Sequence, residues 1–109
     1  MCIKKIFIDD VRCAPSDEWI IIRDSKSAIN YFSSNTCPDI ISFDHDLGEE
    51  DTGYDLLKWL IFYDMNKPYI KKDIIIICHS ANPVGKINIE KYWESYKKLK
   101  EDRNLKWKE

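Results

Sequence analysis

Three short segments of this sequence end a β-branched or aromatic run with side chains that can move protons or hold phosphate. Ile6-Phe7-Ile8 leads into Asp9-Asp10-Val11-Arg12. Ile41-Ser42-Phe43 leads into Asp44-His45-Asp46-Leu47-Gly48, and Ile74-Ile75-Ile76-Ile77-Cys78 leads into His79-Ser80-Ala81-Asn82-Pro83. The chain has 2 histidines, and both fall in these segments. Imidazole can take and give a proton near neutral pH. In open α/β sheets, ligands bind beyond the carboxyl ends of parallel strands. Three such ends therefore predict one site built from Asp9, Asp10, Asp44, His45, Asp46, His79 and Ser80.

The residue types define the chemistry to expect. Clustered carboxylates at Asp9, Asp10, Asp44 and Asp46 repel one another and draw a divalent cation, Mg²⁺ or Mn²⁺. The alternative is that each carboxylate orients a histidine or an arginine. No organic cofactor is expected. Asp44 and Asp46 flank His45 and favour its protonated form, which suits a general acid. His79 follows the most apolar run, where packing explains a histidine poorly. Its less acidic neighbours suit a general base. Ser80 could hold a phosphate oxygen or act as a nucleophile, but no Gly-x-Ser-x-Gly elbow surrounds it.

Asn82, Lys86 and Asn88 lead into the last helix, whose first amides favour an anion. The spacing is not that of a P-loop. Arg12 is a second anion ligand over the same edge. Tyr54, just after Gly53, either joins the core or meets a base. Taken singly, each of these residues also fits a solvated loop, a helix cap or a surface cation.

The elements that must position these groups alternate. Residues 3–8, 19–23, 39–43 and 74–78 read as strands. Asp24 or Ser25 caps a first helix with Ala28, Tyr31 and Phe32 on one face. Thr52 caps a second, with Tyr54, Leu57 and Ile61 at helical spacing and a stop at Asn66-Lys67-Pro68. A last helix runs from about Lys86 to about Arg103, with Ile89, Tyr92, Trp93, Tyr96 and Leu99 on one stripe. This order predicts an α/β fold: a mostly parallel sheet of about four strands, three-layered, with helices on both faces. The unbroken apolar run at Ile74–Cys78 predicts a strand buried on both sides. The first connection is too short for a helical crossover. The second strand therefore joins by a loop crossover or runs the other way at an edge.

With 109 residues, the chain makes one domain over 1–109. Its net charge of -2 gives no global field for membrane or duplex nucleic acid. No apolar run reaches the roughly 20 residues that span a bilayer. The 4 cysteines match no common zinc spacing. The first strand begins almost at once, with no room for a signal peptide, so a reduced, cytoplasmic protein is expected.

Taken together, Asp9-Asp10-x-Arg12-x-x-Pro15, Ser42-Phe43-Asp44-His45-Asp46-Leu47-Gly48, Gly53-Tyr54-Asp55 and His79-Ser80-x-Asn82-Pro83-x-Gly85-x-x-Asn88-Ile89 resemble the cyclic-phosphate processing receiver-like domain family. The match spans nearly the whole chain. The resemblance implies a receiver-like fold, distantly related to response-regulator receivers. There, an acidic pair and a phosphoacceptor Asp occupy the positions of Asp9, Asp10 and Asp44. It also implies a cyclic phosphate ligand on a nucleotide, an ADP-ribose derivative or an RNA end. The expected activity is a cyclic phosphodiesterase, with His79 as base and His45 as acid. Ser80 and Arg12 would steady the phosphoryl charge. Two other readings stand beside it. One is a binding module that senses or sequesters a cyclic nucleotide. The other is a phosphoacceptor at Asp44, against which the absence of a fifth strand with its lysine counts.

Overall fold

The computed structural model describes residues 3–48 and 50–108. Four strands, β1 (Lys5–Ile8), β2 (Trp19–Ile22), β3 (Ile40–Phe43) and β4 (Ile75–Cys78), form one sheet. Three helices accompany them: α1 (Ser25–Ser34), α2 (Gly53–Asn66) and α3 (Pro83–Asp102). The sheet order is β2-β1-β3-β4 and every pairing is parallel. This is the expected receiver-like α/β fold. Of the two options for β2, the loop crossover is the one observed.

The helix starts follow local chemistry. Asp24 accepts the Ser27 amide at 2.7 Å and caps α1. That hydrogen bond, and then the Ser27 hydroxyl, hold the Asp24 carboxyl below the usual carboxylate range. Thr52 caps α2 through the Asp55 amide. The last helix begins earlier than its apolar stripe implied. Asn82 is the cap and Pro83 opens the first turn, a position where proline loses no hydrogen bond and its fixed φ already suits a helix.

The layering differs from expectation. In a strand, alternate side chains face opposite sides. Ile6, Ile8, Ile22, Ile41, Phe43 and Cys78 share one side, and they join Ala28, Phe32, Leu57, Leu60, Ile89 and Trp93 of all three helices in one core. Right-handed crossovers explain this. The chain steps from β2 to β3 and from β3 to β4 in the same direction, so α1 and α2 land on the same side. The third helix packs on α2 and β4. Among the described residues no helix covers the other side. Ile75 is therefore 51% exposed and Ile77 44% exposed, and β4 is not buried on both faces. The expected three layers reduce to two.

At the far end of α2 lies a buried ionic knot. The Asp64 carboxylate accepts the Tyr69 and Ile70 amides at 2.8 and 2.7 Å, and the Tyr96 hydroxyl and Lys100 ammonium at 2.6 Å each. Lys100 also lies 4.5 Å from the centre of the Trp107 ring, which holds the chain's last turn against α3.

Two predictions concern stability. Asp64→Ala leaves the Lys100 charge buried without a partner, and urea denaturation should show a loss of about 3–5 kcal/mol. Asp24→Asn keeps a capping acceptor but no charge. Because the Asp24 pKa is depressed on folding, wild type should exceed this variant above about pH 4. That advantage should vanish as pH falls through the depressed value.

Candidate functional site

Each strand ladder continues one residue past its end. The Asp9 amide bonds to Ile22 O at 3.1 Å, the Asp44 amide to Ile8 O at 2.9 Å, and the His79 amide to Phe43 O at 2.9 Å. Strand alternation therefore reaches these residues. Asp9 shares a side with Phe7, Asp44 with Ser42, and His79 with Ile77, all on the face without helices. One ligand atom from each of Asp9, Asp44 and His79 lies within 4.8 Å of the other two.

Asp9 is fully buried. Its Oδ1 accepts the Val11 and Arg12 amides at 2.9 and 2.8 Å, which folds the β1–β2 loop back over the strand end. Its Oδ2 meets His79 Nε2 at 2.9 Å, and Arg12 Nε stands 3.9 Å away. Burial pushes the Asp9 carboxyl up. The two amides and then His79 more than offset this, leaving the pKa below the usual range. The other imidazole nitrogen, Nδ1, lies 2.6 Å from Ser42 Oγ. The ring stacks on Phe7, with centroids 4.1 Å apart. Both nitrogens and one face of His79 are thus engaged. In the neutral ring, Nε2–H donates to Asp9 and the Ser42 hydroxyl donates to Nδ1. The expectation of less acidic neighbours for His79 is overturned, because parallel pairing brings in a carboxylate 70 residues away.

His45 sits on the opposite flank. Its Nδ1 contacts Asp46 Oδ1 at 3.1 Å. Its ring lies directly against Gly85, where a β-carbon would run into the imidazole. Gly53 stands in the same relation to the backbone carbonyl of Asp44. Two glycines thus give the helix starts room to approach the acidic strand end, the close contact only glycine permits.

The structure gathers Asp9, Asp44, His79 and Arg12, whose guanidinium donates to His79 O at 2.9 Å. It does not bring Asp10, His45 or Asp46 into the group of close ligand atoms. Ser80 accepts the Asn82 amide at 3.1 Å, and Asn82 caps Gly85 at 3.0 Å, so both shape the turn into α3. Lys86 and Asn88 are exposed on that helix. Tyr54 packs edge-on to Tyr92 with centroids 5.5 Å apart. Three contributors were missed by the sequence reading: Ser42, Phe7 and Arg23. Arg23 donates to Asp9 O and Arg12 O and pins the loop that carries Arg12. A hydroxyl inside the apolar run of β3 was the available signal for Ser42.

The donor set suits one divalent cation. Among the described residues the Asp44 carboxylate has no hydrogen-bond donor, so it is free to take up positive charge. Both nitrogens of His79 are engaged, so such a cation would meet carboxylate oxygens first, ligands that both Mg²⁺ and Mn²⁺ accept. Among the described cysteines, Cys13, Cys37 and Cys78 are free thiols. No helix of the described residues is long and apolar enough to cross a membrane.

Gly85→Ala tests the seat of His45. The added methyl should displace the imidazole, move its NMR resonances and leave those of His79 in place. Stability should fall by about 1–3 kcal/mol.

The comparisons with known proteins bear on the fold and the family. No curated protein matches the chain. One solved structure, carried on a fusion with a yeast Spc42 trimeric coiled-coil segment (amino acids 181–211), aligns at a TM-score of 0.52 and 14% identity. It covers 92% of this chain and 82% of its own, and shows the fold alone. The family model for the cyclic-phosphate processing receiver domain matches residues 4–95. Asp9, Asp44 and His79 all lie inside that span, and the chain belongs to the cyclic-phosphate processing receiver domain family.

Proposed function

We propose that this protein is a cyclic phosphodiesterase, which opens a cyclic phosphate on a nucleotide, an ADP-ribose derivative or an RNA end. The observation that supports it is the chain Asp9–His79–Ser42, set beside the free carboxylate of Asp44 and the guanidinium of Arg12. A carboxylate behind an imidazole fixes its tautomer and stabilises the imidazolium that forms when it takes a proton, as in hydrolytic triads.

His79 keeps the base role, but for a different reason from the one its sequence neighbours implied. Its Nδ1 lone pair is occupied by Ser42. Proton uptake therefore runs through that hydroxyl, which passes its own proton to Nδ1 and takes one from the attacking water. Asp9 holds the resulting imidazolium. His45, backed by Asp46, gives a proton to the leaving sugar oxygen. Arg12 offers its guanidinium to the charge that builds on the phosphoryl oxygens. A divalent cation held by the Asp44 and Asp9 carboxylates would supply Lewis-acid neutralisation of the phosphate oxygens. Lys86, Asn88 and Tyr54 are assigned to the sugar and base.

The test is a ³¹P NMR time course. The full chain is incubated, with and without Mg²⁺ or Mn²⁺, with 2′,3′-cyclic nucleotides, 3′,5′-cyclic nucleotides, cyclic dinucleotides and ADP-ribose cyclic phosphate. Conversion of at least one signal is expected. It should fall about 10²-fold or more in His79→Ala and His45→Ala, the usual scale for lost acid–base groups. Ser42→Ala should slow it less and shift the pH profile. Line broadening without conversion would make the protein a binding module. Full turnover in both histidine variants would end the two-histidine mechanism.

A further inference from the structure

We infer that Arg23 is the ligand for a second phosphate, so that the substrate is a nucleotide bearing a non-cyclic phosphoryl group besides its cyclic one. This rests on the cyclic-phosphate reading of the site and narrows its ligand within that class.

Strand register places Arg23 in the site. The pairing sets Ile22, Ile8, Phe43 and Cys78 level across the sheet. One residue further on, β2 contributes Arg23, β1 Asp9, β3 Asp44 and β4 His79. Arg23 is the fourth member of that row and its only permanent cation. Arg12 stands over the same edge, but its Nε faces Asp9 Oδ2 at 3.9 Å and its Nη1 donates to His79 O. The buried carboxylate already offsets much of that charge. Arg23 has no such partner. Among the described residues it enters no ion pair, and the carboxylate of its neighbour Asp24 is turned to the Ser27 amide.

The head of Arg23 is held in place. Nη1 donates to Arg12 O at 2.7 Å and to Asp9 O at 3.3 Å. These bonds occupy one nitrogen of the guanidinium. They leave Nε–H and Nη2–H, the edge that meets two phosphate oxygens at once. Arg23 is exposed, so a ligand can reach it. Strand spacing then fixes where the anion belongs. β2 is two strands from β3, about 10 Å, with the end of β1 and its buried Asp9 between them. A phosphate over Asp44 is too small to touch Arg23 as well, whereas a second phosphate on the same nucleotide spans the gap.

The test compares adenosine 2′,3′-cyclic phosphate with the same compound carrying a 5′-phosphate. Each is titrated into the full chain bearing His45→Ala, so that the ligand survives the measurement. The readouts are Kd and the ¹H–¹⁵N signals of the arginine Nε groups. The 5′-phosphate should tighten binding about tenfold, the scale of one hydrogen-bonded charged contact, and it alone should shift the Arg23 Nε–H signal. Adding Arg23→Gln should erase that advantage. Arg23→Lys, which keeps the charge and loses the fork, should retain part of it. Arg23 also pins the Arg12 loop, so the ratio of the two affinities decides the matter. A purely structural arginine would weaken both ligands equally and leave the ratio unchanged, which overturns the inference. Equal affinities for the two ligands before Arg23 is changed overturn it as well, while the cyclic-phosphate reading stands. Inorganic phosphate that shifts the Arg23 signal at the same concentration as the doubly phosphorylated nucleotide makes this a separate anion site and overturns the shared substrate. If neither nucleotide binds, the cyclic-phosphate reading fails and the inference fails with it.

Discussion

The Asp9 carboxylate is the point on which the site depends. A buried, ionised carboxylate persists only when its oxygens are fully engaged. Asp9 meets that condition with donors from two parts of the chain: the amides of its own loop and the imidazole of His79. The same contacts that stabilise its charge also set the loop that presents Arg12 and the orientation of the His79 ring. Arg23 reinforces the arrangement from β2 by holding the carbonyls of Asp9 and Arg12. Without the carboxylate, the Val11 and Arg12 amides and His79 Nε2 would each lose this acceptor.

The second constraint is the one-sided stacking of helices. It gives this short chain a single contiguous core and leaves the side that carries His79 and the buried Ser42 and Asp9 without a helix among the described residues. The price of that economy is apolar surface on β2 and β4, which a receiver-like sheet covered on both sides would hide. The buried Asp64–Tyr96–Lys100 knot fastens α3 to the far end of α2. It lies at the opposite end of α2 from Gly53, so this knot and the candidate site are separate.

Much of this was legible in the residues. Strand runs of isoleucine, the caps at Asp24 and Thr52 and the helical stripe at Ile89, Trp93 and Tyr96 are local signals, and they located every element. The polar residues at three strand ends pointed to a shared edge, because a parallel sheet aligns those ends. What stayed hidden was non-local. Ile75 and Ile77 read as buried because sequence records apolarity but not what lies across the sheet. Asn82-Pro83 read as a loop because the apolar stripe starts later than the helix.

The sequence by itself determined the elements, a mostly parallel sheet with the direction of the second strand left open, and a set of polar residues at the strand ends, since each follows from local propensity and strand alternation. Only the tertiary structure decided which carboxylate meets which histidine. It paired His79 with Asp9 and Ser42, left His45 with Asp46 against Gly85, and drew both helices that follow β2 and β3 to one face. The physical reason is register and crossover hand. A one-residue slip would turn every side chain to the other face, and nothing within a single strand specifies the neighbour against which it is aligned.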